Sequence, residues 1–162
     1  MSVNIRRVRN EDLEAVTRIE AICFPKEVAA PKEVFKERIA TYPERFLVAE
    51  EEGEIIGFIN GAVVKENHIL DEQYEDITRH EMNGDYQAVF GLVVLPQRQG
   101  QKVATKLMEA LIELAKNEKR KGVILTCKEE LIGFYRRFGY VKQGISKSTH
   151  GNQTWYDMRL EW

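Results

Sequence analysis

The sequence predicts an α/β fold, with a mixed sheet and helices on both faces. Three observations predict it. Apolar residues recur at helical spacing in several stretches. Between them lie short β-rich runs bounded by Gly, Pro and polar residues. The order that results, β-α-α-β-β-β-α-β-α-β-β, is that of a layered α/β domain. A chain of 162 residues suffices for one domain with a hydrophobic core, and residues 1–162 are read as that single domain.

The first strand is expected over Asn4–Val8. Asn10 then occupies an N-cap position, with Glu11 and Asp12 in the first turn where negative charge suits the helix dipole. Leu13, Val16, Ile19 and Ile22 give the following helix one apolar face, and Cys23-Phe24-Pro25 ends it. Pro31 opens a second helix, which carries Val34, Phe35 and Ile39 inward as far as Tyr42-Pro43. Phe46–Ala49 and Ile55–Val64 form a hairpin across Glu52-Gly53. Gly57 and Gly61 in its second arm point to a bulge or to close approach of another backbone.

Residues 65–85 are polar, with Ile69, Leu70, Tyr74 and Ile77 as their apolar points, and so long a connection is usually functional or disordered. Ala88–Leu95 is the expected central strand, and Gln99–Lys119 a long helix with Val103, Leu107, Leu111 and Leu114 inward. Gly122–Cys127 is a short apolar strand. Leu131–Phe138 is a short helix stopped by Gly139. Tyr140–Ile145 and Thr154–Leu160 close the chain as an antiparallel pair.

Composition narrows the function. Hydrophobic residues at 43% and charged residues at 31% describe a globular chain, neither disordered nor fibrous. A net charge of −2 gives no global basic field for nucleic acid or an anionic membrane. No apolar run approaches a bilayer span, and Met1–Arg7 lacks the core of a signal peptide. Cys23 and Cys127 lie far apart in apolar surroundings, and His68, His80 and His150 show no ligand spacing. The expectation is therefore a cytoplasmic domain without a metal, a nucleic-acid partner or a membrane partner.

The chemistry concentrates where the central strand runs into the long helix. A helix N-terminus presents main-chain N–H groups without intrahelical acceptors, and its dipole favours anions. Such an end suits a phosphate-bearing cofactor.

At the head of that helix stand Gln99-Gly100-Gln101-Lys102-Val103-Ala104, and further on Gly133-Phe134-Tyr135-Arg136-Arg137-Phe138-Gly139-Tyr140. On these two pieces the chain resembles, over essentially its full length, the GNAT superfamily of acyl-CoA-dependent N-acyltransferases. Lys102 stands where the family usually has glycine. A helical φ there would not require glycine, and the Lys102 side chain then points to solvent or adds a cation to the pyrophosphate. Within the superfamily the chain is similar to arylalkylamine (serotonin) N-acetyltransferases through Cys127-Lys128-Glu129-Glu130-Leu131 and Ile56–Gly61. It departs from them at Ala88 and Phe90, where that subfamily has two strand histidines.

The resemblance implies acetyl-CoA as acyl donor, held between the central strand and Gly122–Cys127. It would be bound by Leu92, Val93, Val94, Gln99, Gly100, Gln101, Lys102, Val103, Ala104, Thr105, Phe134 and Arg137. It implies an acetyl transfer to a primary amine, on a small molecule or a peptide, by direct attack. An alkylamine has a pKa of roughly 10.4 and must lose a proton first. The N–H of Val94, or of its neighbour Val93, would polarise the thioester carbonyl. Tyr135 would protonate the departing thiolate. His80, Glu81, Asp85 or a water chain would take the amine's proton.

Cys127 reads as a small buried hydrophobe. Phe24, Phe58 and Phe90 read as core or as an apolar pocket. A catalytically silent acyl-CoA-binding regulatory domain is the alternative reading, and the family's sheet-edge dimers leave room for a homodimer. A nucleotide-binding module fits less well, since the turn lacks a P-loop's Gly-Lys-Ser/Thr ending.

Overall fold

The computed structural model describes residues 2–100, 102–148 and 150–162. In chain order its elements are β1 (Asn4–Arg7), α1 (Leu13–Cys23), α2 (Lys32–Thr41), β2 (Phe46–Glu51), β3 (Glu54–Asn60) and β4 (Val63–Val64). They continue with α3 (Asp71–Glu75), β5 (Tyr86–Ala88), β6 (Gly91–Val94), α4 (Val103–Asn117), β7 (Gly122–Cys127), α5 (Ile132–Arg136), β8 (Val141–Ile145) and β9 (Tyr156–Glu161). The expected mixed α/β character is present, with the strands distributed over two sheets. The chain forms two compact units, Met1–Asn60 with Gly91–Leu111, and Gly61–Phe90 with Ile112–Trp162.

In the first unit β1, β2, β3 and β6 form an antiparallel sheet in that order. Its core joins Val16 and Ile19 of α1 and Phe35 and Ile39 of α2 to Phe46, Val48, Phe58 and Val93 of the sheet. Phe35 meets Phe46 and Phe58 edge-on at 6.2 and 5.6 Å between ring centres, an arrangement that suits the ring quadrupoles. Two details of α1 differ from the sequence expectation. The chain enters it through a 3₁₀ turn at Asn10–Asp12, and Asp12, not Asn10, takes the orphan donor, since Arg9 N–H reaches its Oδ2 at 2.7 Å. Ile22 lies in the last turn and is 55% exposed, so the apolar face stops at Ile19.

The first unit also buries charge. Arg6 grips Asp12 with both terminal nitrogens, at 2.9 and 3.0 Å, and reaches Glu50 at 3.0 Å. Glu20 accepts from the Ala30 N–H at 2.9 Å and so fastens the connection between α1 and α2. Arg38 donates to Asn60 Oδ1 at 3.1 Å.

The second unit is a five-stranded sheet in the order β4-β5-β7-β9-β8, with β5 and β7 parallel and the other pairs antiparallel. The arm expected over Ile55–Val64 is interrupted at Gly61-Ala62, which separates β3 from β4. A Cβ on Gly61 would stand 1.9 Å from Ala88 O, so only glycine allows this approach. Gln87, wholly buried, fixes the junction by donating to Gly61 O at 2.8 Å and Ala62 O at 3.3 Å.

The expected central strand Ala88–Leu95 is likewise two strands. β5 pairs with β7 as far as Ala88 opposite Ile124, and Val89 N–H adds one bond to Ile124 O at 2.9 Å. From Gly91 onward the pairing partner is β3. Among the described residues no helix is long and apolar enough to cross a membrane, and no three ligand-type side chains gather as a metal site would require.

Candidate functional site

The end of β6 offers main-chain donors. Leu95 N–H bonds Ile56 O at 2.9 Å, and along an extended strand successive N–H groups alternate sides. Val93 therefore spends its main-chain groups on β3, and a Cβ on Gly57 would come within 2.7 Å of Val93 O. Leu92 and Val94 face the opposite edge. β3 is the only strand paired with β6 among the described residues, so the N–H groups of Leu92 and Val94 have no ladder partner there. The Val94 carbonyl, on the same edge, accepts from Gln99 Nε2 at 3.2 Å and from Cys23 Sγ at 3.5 Å. Gln99 thus ties the turn to the strand that precedes it.

That turn includes a 3₁₀ segment at Pro96–Arg98, and α4 begins at Val103. Arg98 reaches back to the buried Glu51, with Nη2 2.9 Å from Oε1. Gly100 has φ +86° and Lys102 φ +64°. The expectation of a helical φ at Lys102 is thereby corrected: the backbone there is left-handed, which costs a residue with a Cβ and suits glycine. The Lys102 side chain is exposed. Gln101 lies outside the described residues. Val103 is buried, Ala104 and Thr105 are half-buried, and Lys106 N–H makes a first helical bond to Lys102 O at 3.0 Å.

The second predicted group lies on α5. Tyr135 is buried, with its ring 5.1 Å from Phe134 and 5.8 Å from Tyr140. Burial raises its hydroxyl pKa well above the ordinary range, and Cys127 adds to the rise. Among the described residues none hydrogen-bonds that hydroxyl, which leaves it available as a donor. Arg137 is exposed and lies over the Phe134 ring at 5.3 Å. Cys127 is buried, and burial, with Glu130, pushes its thiol up to about 11. It is a protonated thiol at neutral pH, not a nucleophile.

The candidate bases are all engaged. His80 Nδ1 accepts from Val63 N–H at 3.0 Å, while Nε2 faces Met82 Sδ at 3.2 Å. Glu81 sits 3.4 Å from Lys65 Nζ and Asp85 3.3 Å from Lys121 Nζ. Phe58 is core, stacked on Phe46, and Phe24 packs against the same cluster. Phe90 instead meets Tyr74 of α3 edge-on at 5.4 Å between ring centres. Tyr74 in turn meets His150, in the β8–β9 loop, at 5.3 Å. Sequence reasoning missed this grouping, because residues so far apart carry no shared motif.

Residues 13–140 match the model of the Acetyltransferase (GNAT) family. The chain belongs to this family. A curated relative, the probable hydrolase YhcX of Bacillus subtilis (strain 168), is 26% identical over 128 residues. That match covers 75% of this chain and 25% of the relative, so the chain spans about a quarter of its length. Solved structures with the GNAT fold align over nearly the whole chain. The loading GNATL domain of CurA from Lyngbya majuscula superposes with a TM-score of 0.84 at 17% identity, covering 99% of this chain and 98% of its own. Arabidopsis thaliana Naa50, solved with the bisubstrate analogue CoA-Ac-MVNAL, gives 0.78 at 18% identity and covers 100% of both. The ribosomal-protein-S18-alanine N-acetyltransferase from Escherichia coli gives 0.73 at 18%, covering 99% and 94%. At these identities the likeness is one of fold.

Proposed function

We propose that this GNAT chain transfers an acetyl group from acetyl-CoA to a primary amine, on a small molecule or a peptide. The observation that carries the reading is the end of β6, where Leu92 and Val94 turn N–H groups out of the ladder just before a turn that opens α4. Those donors fit an amide-bearing arm and a thioester carbonyl, and the turn with the first residues of α4 fits a pyrophosphate. Leu92, Val94, Gln99–Thr105, Phe134 and Arg137 would hold the acyl donor, whose thioester supplies the activated acetyl group. Structural relatives solved with a CoA–peptide analogue or named for acting on a ribosomal protein support a peptide acceptor. The likeness of 127–140 to arylalkylamine enzymes supports a small one.

Each residue's part follows from its chemistry. Val94 N–H, fixed by the strand, donates to the oxygen on which negative charge grows as the amine attacks. Burial disfavours the phenolate, so Tyr135 is protonated at neutral pH and meets the leaving sulfur as a hydroxyl donor, although the same burial opposes full release of the proton. Cys127, also protonated, forms no acyl-enzyme, and transfer is direct. Both cysteines are free thiols, which suits the reducing cytoplasm.

The test is free-thiol release from acetyl-CoA across arylalkylamines, polyamines, amino acids, aminoglycosides and short peptides, with Tyr135→Phe in parallel. We expect amine-dependent release whose kcat falls about 100-fold in the variant, with acetyl-CoA affinity unchanged. Unchanged turnover removes Tyr135 from the mechanism. Silence toward every amine refutes the transferase reading.

A further inference from the structure

The start of α4 carries charge of the sign that a helix N-terminus least favours. That end is the positive pole of the dipole, so acidic residues suit it and cations do not. The other two long helices of the first unit follow the rule, with Glu14 in the first turn of α1 and Glu33 in that of α2. The first turn of α4 has no acidic residue. Lys102 precedes that turn and Lys106 closes it, and both are exposed.

Neither charge is neutralised where it stands. Among the described residues neither lysine has an ion-pair partner, and Glu51 of β2 is taken by Arg98 at 2.9 Å. Lys106 N–H bonds Lys102 O at 3.0 Å, which holds the two like charges one turn apart, an unfavourable spacing. Lys102 also keeps its backbone at φ +64°, where glycine is at ease and a residue with a Cβ is not. Glycine or asparagine would meet that backbone demand better, so the backbone does not account for a lysine here. An anion beside the two ammonium groups offsets both electrostatic costs at once.

We propose that Lys102 and Lys106 bind the 3′-phosphate of the cofactor and so select CoA over its dephospho form. This rests on the acyl-CoA site proposed above. The pyrophosphate there is met by main-chain N–H groups at the helix end. The 3′-phosphate is a monoester with a charge of about −1.5 to −2 at pH 7, whereas each phosphorus of the pyrophosphate bears a single ionised oxygen. It is the strongest charge on the cofactor and gains most from cations. Lysine suits it, because a compact ammonium on a long flexible stem reaches beyond the N–H groups of the turn. The two lysines determine which cofactor binds and take no part in the transfer itself.

Calorimetric titration with acetyl-CoA and acetyl-3′-dephospho-CoA tests this on wild type, Lys102→Asn, Lys106→Gln and the double variant. Asparagine tolerates the left-handed region, so Lys102→Asn keeps the turn, and melting temperatures check the fold. Each single variant should bind acetyl-CoA about 3- to 5-fold more weakly, and the double variant about 10-fold, as exposed charge pairs allow. Binding of the dephospho form should not change. Wild-type affinity for acetyl-CoA should also fall more steeply than the double variant's between about 0.01 and about 0.15 M salt, as the Debye length shrinks from about 30 to about 8 Å. An equal loss for both ligands, or no loss for either, overturns the proposal and leaves the transferase reading standing. So does a wild type that binds the two ligands equally. Selection for the 3′-phosphate in a protein that acetylates no amine upholds the proposal and overturns the transferase reading.

Discussion

Gly61→Ala probes the junction at which β3 gives way to β4. The added Cβ would sit 1.9 Å from Ala88 O and 2.6 Å from Ala88 C, both backbone atoms that no side-chain rotation can move. Ordinary contact begins near 3.4 Å, so the two segments must part by more than an ångström. Ala88 N–H to Ala62 O, 2.9 Å, and Gln87 Nε2 to Gly61 O, 2.8 Å, cannot survive that movement. Two lost hydrogen bonds at about 1 kcal/mol each, with about 1 kcal/mol or more of overpacking strain, give a loss of roughly 3 kcal/mol. A chain of this length has an unfolding entropy of about 340 cal/mol/K, so the midpoint should drop by about 9 °C.

Gly53→Ala is the control. Gly53 has φ +81° and nothing within 4 Å of an added Cβ, so only backbone strain of about 1 kcal/mol applies, or about 3 °C. Both variants are read by thermal unfolding with far-UV circular dichroism. Should Gly61→Ala melt no lower than Gly53→Ala, the close approach inferred at Ala88 is wrong.

Two further outcomes follow from titratable groups. With its thiol near 11, Cys127 is roughly one-thousandth ionised at pH 8, against about a quarter for an ordinary thiol. Iodoacetamide should therefore label it at least about 200-fold more slowly in the folded protein than in urea, and mass spectrometry showing equal rates would refute its burial. Burial pushes the Asp12 carboxyl up, but the bonds from Arg6 and Arg9 and their charges outweigh it, so its pKa is lowered. A lowered carboxylate contributes stability that is complete above its unfolded value of about 3.9 and is lost as pH falls through the folded one. Asp12→Asn should cost about 3 kcal/mol at pH 7 and flatten the acid limb of stability below about pH 5; an unchanged limb in urea titrations would count against the Arg6 pair.

Much of this was legible in the residues. Val16, Ile19, Phe35 and Ile39 announce their helices by spacing, and Glu52-Gly53 announces its hairpin. The break at Val89-Phe90 was hidden, because the run from Ala88 to Leu95 stays apolar and β-rich throughout. What divides it is a change of partner, from β7 to β3, and pairing partners lie far away in sequence. Lys102 was hidden for a different reason. Lysine is no marker of positive φ, so its left-handed backbone shows only in the turn's geometry. Nothing in the sequence marks Glu20, Arg38 and Gln87 for burial, since their partners are backbone or distant side chains. The resemblance left Val94 and Val93 as alternative donors, and that the Val94 N–H is the one turned away from β3 needed the bond from Leu95 to Ile56. The grouping of Tyr74, Phe90 and His150 needed the whole topology of the second unit.

The division of the chain also sets the order in which it can fold. Each unit is assembled from two separate lengths, and the polypeptide passes between units at Asn60/Gly61, Phe90/Gly91 and Leu111/Ile112. During synthesis β1, β2 and β3 emerge together with α1 and α2 and can begin to pack at once. β4 and β5 emerge next and can pair with each other, but the other edge of β5 must wait for β7, whose Gly122 pairs with Tyr86. Parallel pairing across such a separation closes a large loop before any reward, which slows folding. A nascent chain stalled after Phe90 would hold three paired strands of one sheet and, of the other, only β4 paired with β5 and β5's second edge uncovered, and the second sheet is where chaperone dependence and early aggregation should concentrate.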